Sequence, residues 1–222
     1  LRDGAALSIS SSGLVETTTV RANTNNEYDA VGGLTAGCTG TPCPSLTVRD
    51  CNFEENACLG QYCGAAHAYS KSGGVVTIEN TLFENALGGV AVKSQGNGKL
   101  WNGVDVLSRL VLRKVTVRGS TSGGVLGYFG GRLDVVNSTV ALCNGTGVAS
   151  IRAVVLHMDN VDVHSNTALA PGGGGGGVFT TSWAGSDVPA VQLIRNVRLF
   201  NNTAGQEGGG FRCDGNIITT PG

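Results

Sequence analysis

Along most of this chain, apolar residues recur at every second position, skip three, and resume at every second position. Examples are Leu110, Leu112, Val115 and Val117, then Leu156, Met158, Val161 and Val163, then Leu46, Val48, Cys51 and Phe53. Period-two alternation is the signature of a half-buried strand, and a step of three carries the inward face around a corner. The pattern therefore predicts two short strands joined by a sharp bend. At that bend stand Asp50, Asn80, Lys114, Asn137, Asn160 and Asn196. Asparagine tolerates the left-handed backbone region better than most side chains do, so the column predicts one tight turn repeated in every unit.

With Asn56 of FEEN as a marker, the inward residues stand three, five, eight and ten positions earlier. The same ruler fits Asn166, Ser120 and Cys143, and with one-residue slips it fits Asn23, Asn85 and Asn202. The seven markers are separated by 33, 29, 35, 23, 23 and 36 residues, a unit of 23 carrying insertions. After the marker comes glycine and a third apolar stretch: GGVAVK, GGVLGY, TGVASI, GGVFTT and GGGFRC. Glycine there lets the chain turn where side chains would collide.

Three strands and three turns per unit predict an all-β fold, a right-handed parallel β-helix of about seven coils. It forms one domain over 1–222, a segment of a longer solenoid, with Cys/Gly-rich insertion loops at 24–45 and 57–75 and further loops at 93–108 and 180–190. An antiparallel sandwich would share the alternation but has no reason to keep asparagines at two fixed offsets. Stacked coils do, since identical amides about 4.8 Å apart can hydrogen-bond each to the next. The two columns are Asn23, Asn56, Asn85, Asn166 and Asn202, and Asn80, Asn160 and Asn196.

Composition narrows the function. A net charge of −1 with 15 scattered Lys and Arg leaves no footprint of a nucleic-acid or acidic-membrane binder. No apolar run approaches the roughly 18 residues of a membrane-spanning helix. Seven cysteines, five of them between Cys38 and Cys63, suit an oxidising compartment. Cys38 with Cys43, and Cys58 with Cys63, are placed to close local disulfides across the early insertions, a zinc site being the alternative use of these four. Cys51, Cys143 and Cys213 are read as free thiols. Sequons at Asn137, Asn144 and Asn201 add candidate glycosylation sites, with Asn137 in the tight-turn column expected to be the least accessible.

FEEN at 53–56, paired with GGV at 88–90, 123–125 and 176–178, resembles the repeat of the polymorphic outer-membrane proteins. The resemblance implies a surface-exposed β-helix used in adhesion, as in bacteria of the chlamydial type, and similar repeats occur in large extracellular proteins of green algae.

Two surfaces are candidates for chemistry. His157, Asp159, Asp162 and His164 all take outward positions and could form a metal or acid–base site. However, the repeat stacks Asp159 on Arg195 and Asp162 on Arg198, which reads as a charge-paired solvated face. Trp101, Tyr128, Phe129 and Trp183, with Lys93, Arg152 and Arg212, make a candidate sugar-stacking or docking strip, or else cover insertion loops. GGGGGG at 172–177 lacks the Lys-Ser/Thr of a phosphate loop. The sequence thus points to no catalytic residue, metal or cofactor. It points to a non-enzymatic structural or adhesive module of a large extracellular or cell-surface protein, in a cell wall, appendage or surface filament. Its partners would be further coils of the same protein or neighbouring subunits, and glycans. The competing reading is a carbohydrate-binding or polysaccharide-active β-helix enzyme.

Overall fold

The computed structural model describes residues 6–9, 12–25, 31–38, 45–58, 64–70, 74–95, 109–128, 131–151, 155–169, 175–181, 190–206, 208–214 and 217–219. Every regular element among them is a β-strand, and every strand pairing is parallel. One sheet takes Leu7–Ile9, Val31–Cys38, Gly64–Ser70, Val90–Gln95, Val125–Tyr128, Val148–Ile151, Val178–Thr181 and Phe211–Asp214 in chain order. The larger sheet has two arms. The first runs through Gly13–Glu16, Leu46–Arg49, Val75–Glu79 and Arg109–Arg113, and the second through Thr19–Arg21, Asn52–Glu54, Leu82–Glu84 and Thr116–Arg118. The arms merge in the long bent strands Arg132–Ala141, Val155–His164 and Ala190–Phe200.

Register follows the sequence ruler. Leu110 pairs with Leu133, Leu133 with Leu156, Val117 with Val140 and Val163 with Leu199. The bend column is left-handed throughout, at Thr17, Asp50, Asn80, Lys114, Asn137, Asn160 and Asn196, with φ between 46° and 54°. A second left-handed residue follows each of these five positions later: Ala22, Glu55, Asn85, Gly119, Leu142, Ser165 and Asn201.

This second column corrects one assignment. Asn85 aligns with Glu55 at the left-handed position, and Ala86 occupies the marker slot beside Asn56. Asparagine suits either place, so counting from an asparagine slipped by one residue there. The ranges 24–45 and 57–75 also hold more order than loops, since they include the strands Val31–Cys38 and Gly64–Ser70. Their small residues, VGGLTAGC and GAAHAYS, hide the alternation that reveals a strand.

The core is a set of apolar columns between the sheets. Leu110, Leu112, Leu133, Val135, Leu156, Met158, Val161 and Val163 are at most 1% exposed. Phe53 and Phe83 stack with centroids 4.9 Å apart and planes 10° apart. Glycine serves close approach where expected: a Cβ on Gly145 would sit 1.4 Å from the Ser122 carbonyl oxygen.

Candidate functional site

The marker asparagines form two hydrogen-bonded ladders with one geometry. Each Oδ1 accepts from the backbone N–H of the marker one unit earlier: Asn56 from Asn23 (3.2 Å), Asn166 from Cys143 (3.0 Å), and Asn202 from Asn166 (3.1 Å). Each Nδ2 donates to the carbonyl three residues before that earlier marker: Val20 (2.8 Å), Val140 (3.1 Å) and Val163 (2.8 Å). The side chains also pair directly, Asn23 to Asn56 and Asn166 to Asn202, both at 3.0 Å. Asn56 and Asn166 are buried, so the ladder satisfies backbone groups that water does not reach. Ala86, Ser120 and Cys143 interrupt it. Burial pushes the Cys143 thiol up to about 11, and a backbone hydrogen bond involving Ser120 only partly offsets this, so the thiol stays protonated and unreactive. In the exposed bend column, Asn160 donates to Asn137 (2.8 Å), whereas Asn196 donates to Asp159 (3.1 Å), and Asn80 aligns with Lys114.

The four outward residues of 157–164 do not converge. Asp162 is bound by Arg198, and that hydrogen bond holds its carboxyl below the usual range. Asp159 aligns with Arg195, as the repeat predicts, but accepts from Asn196. His164 stacks on Phe200 with centroids 4.6 Å apart. Among the described residues no group of three or more His, Cys, Asp or Glu could hold a metal ion.

The same logic of unit-to-unit pairing extends further than the sequence reading saw. Glu16, Arg49, Glu79 and Arg113 occupy one column with alternating sign, tied by Arg49–Glu16 at 2.7 Å and Arg113–Glu79 at 3.5 Å. Arg118 pairs with Glu84 at 2.8 Å on the second arm. Such exposed pairs contribute little stability each, but a one-residue slip of register would set every one of them wrong.

His157 contacts a group the sequence reading missed. Its Nδ1 lies 2.9 Å from Oδ1 of Asp134, one unit earlier in the same column. Asp134 also accepts from Arg132 Nε (2.9 Å) and Nη2 (2.8 Å), and from Arg109 Nε (2.5 Å). Its side chain is 2% exposed, beneath arginines that are 41% and 39% exposed. Burial pushes this carboxyl up. The hydrogen bonds from Arg132, Arg109 and His157 outweigh burial and leave it below the usual carboxylate range. The 23-residue spacing of Asp134 and His157 is that of the markers Cys143 and Asn166, so the ruler applied to outward positions would have found the pair.

Of the aromatic strip, Trp101, Phe129, Arg152 and Trp183 lie outside the described residues. Tyr128 is half-buried, and its ring carries Lys93 Nζ at 5.8 Å from the centroid. Lys93 is 1% exposed and so belongs to the packing rather than to an open surface. Arg212 lies over Phe179 at 5.8 Å and pairs with Asp214 at 3.0 Å.

Cys58 is buried and disulfide-bonded, and Cys51, Cys143 and Cys213 are free. Cys43 and Cys63, the expected partners of Cys38 and Cys58, lie outside the described residues. Asn137, Asn144 and Asn201 are all exposed, which corrects the reading of Asn137 as the inaccessible sequon. The bend that makes its backbone left-handed also turns its side chain to solvent.

The chain matches no family model, no curated protein and no solved structure.

Proposed function

We propose that this chain is a stretch of right-handed parallel β-helix serving as a rigid, non-enzymatic structural or adhesive module of an extracellular or cell-surface protein. The observation that carries this reading is the prevailing direction of its polar pairing. Marker amides and charged residues bond to their counterparts one unit away along the stack, so polar side chains are spent on holding units together. The right hand follows from the strong preference for right-handed crossovers between parallel strands. Seven units at about 4.8 Å give a stack of roughly 34 Å. Three exposed sequons and a disulfide-bonded Cys58 favour an oxidising, extracellular setting. The repeat resembling that of the polymorphic outer-membrane proteins points the same way.

The edges Thr19–Arg21 and Val197–Phe200 have no strand on their outer sides among the described residues. They are where further coils or a neighbouring subunit would dock. Sedimentation of the purified chain tests this: end-to-end association rising with concentration is expected. A compact monomer at every concentration would count against the rod.

One observation favours the second reading, a carbohydrate-binding or polysaccharide-active β-helix. The Asp134–His157 pair, flanked by two arginines, has the composition of an acid–base site for an anionic substrate. Release of reducing ends or unsaturated products from acidic polysaccharides, abolished in His157→Ala, would decide for it.

A further inference from the structure

The geometry points to an anion receptor formed by Arg109 and Arg132 on adjacent strands, with buried Asp134 as the positioning residue and an oxyanion, a carboxylate or a sulfate ester, as the ligand class. Arg109 and Arg132 are register partners in neighbouring strands, so their like charges face each other one strand spacing apart. Asp134 makes that arrangement tolerable by binding both guanidinium groups from beneath. Two arginines against one carboxylate leave a positive charge uncompensated, and among the described residues neither arginine has another acidic partner. Arg132 spends Nε and Nη2 on Asp134 and Arg109 spends Nε, so among the described residues Nη1 of Arg132 and both Nη groups of Arg109 remain as donors.

A guanidinium fork matches an oxyanion in shape and charge. Here both forks are already held in place, so binding loses little of the side-chain freedom that weakens contacts made by exposed arginines. His157, on the far side of Asp134 from Arg109, adds a fourth polar group to the same patch. The other arginines along the first arm differ in kind. Arg49 and Arg113 each meet a glutamate one unit away and carry no excess charge. The inference stands on these four side chains and does not depend on the rod reading.

The test is a low-salt titration of the whole chain with sodium sulfate and, separately, with oligogalacturonate, following the arginine Nε–H resonances by NMR. Both arginines should shift, with Arg113 unmoved. Response to sulfate alone assigns a small free anion, and response to oligogalacturonate at lower concentration assigns an acidic polysaccharide. Arg109→Gln and Arg132→Gln should each weaken binding by about tenfold or more, while Arg113→Gln stays within about twofold. Melting curves identify any variant that fails to fold, in which case the wild-type resonances decide alone. No shift with either probe, or equal weakening by Arg113→Gln, overturns the proposal.

Discussion

The strands Val155–His164 and Ala190–Phe200 follow the same ruler, pair in register, and share the same left-handed bend, yet their inward residues have different fates. Leu156, Met158, Val161 and Val163 are completely buried. Their partners Gln192, Ile194, Val197 and Leu199 include one amide and three partly exposed aliphatics, Ile194 at 37%. The difference is the neighbour. The first strand is covered on both sides, by Arg132–Ala141 and by Ala190–Phe200, whereas beyond the second only Ile217–Thr219 is described, against Ala190–Gln192. Alternation in a sequence thus tells which way a side chain points, and the adjacent unit decides how dry it is.

The strongest way to break this comparison is to truncate matched residues. Met158→Ala should lower unfolding free energy by about 2–5 kcal/mol in urea titrations, and Ile194→Ala by less than about 1 kcal/mol. Equal losses would show that the exposed end is packed after all. Next in size is the marker pair. Asn166→Ala strands the Cys143 N–H and the Val140 carbonyl, both buried, and should cost about 1–3 kcal/mol. Asn202→Ala at the more exposed end should cost clearly less, and the same denaturation series measures both.

A smaller effect distinguishes a covered unit by pH. Because the Asp134 carboxyl is held below its unfolded value, its contribution is complete above about pH 4 and is lost as pH falls through the folded value. Melting temperatures from pH 6 downward should therefore fall less steeply in Asp134→Asn than in wild type. Parallel curves would mean that the carboxylate contributes nothing specific. Least affected should be Arg198→Gln, which removes an exposed ion pair and should leave the melting midpoint unchanged within error.

How much of this was legible depends on which residues carried the signal. The bend column and five of the third strands could be read because large alternating aliphatics and asparagines mark them. The marker slot at Ala86 was misread because a left-handed asparagine stands one residue before it. The strands Val31–Cys38 and Gly64–Ser70 were hidden by small side chains, which signal neither turn nor strand. The Asp134 cluster was missed for a different reason. Arg109 and His157 lie 25 and 23 residues from Asp134 and meet it only through register, so no local motif contains them.

The fixed five-residue separation of the paired left-handed positions has a consequence for how such a chain can change over generations. In all seven units the distance from the first corner to the second is constant, although the units differ in length by more than ten residues. Length variation is therefore confined to the stretches outside that corner pair. An insertion there leaves the next unit's amide still facing the same backbone N–H, so new loops can be acquired, lost or exchanged one unit at a time. The strand–corner–strand element is the part that heredity must copy without a gap, and the loops around it are free to vary.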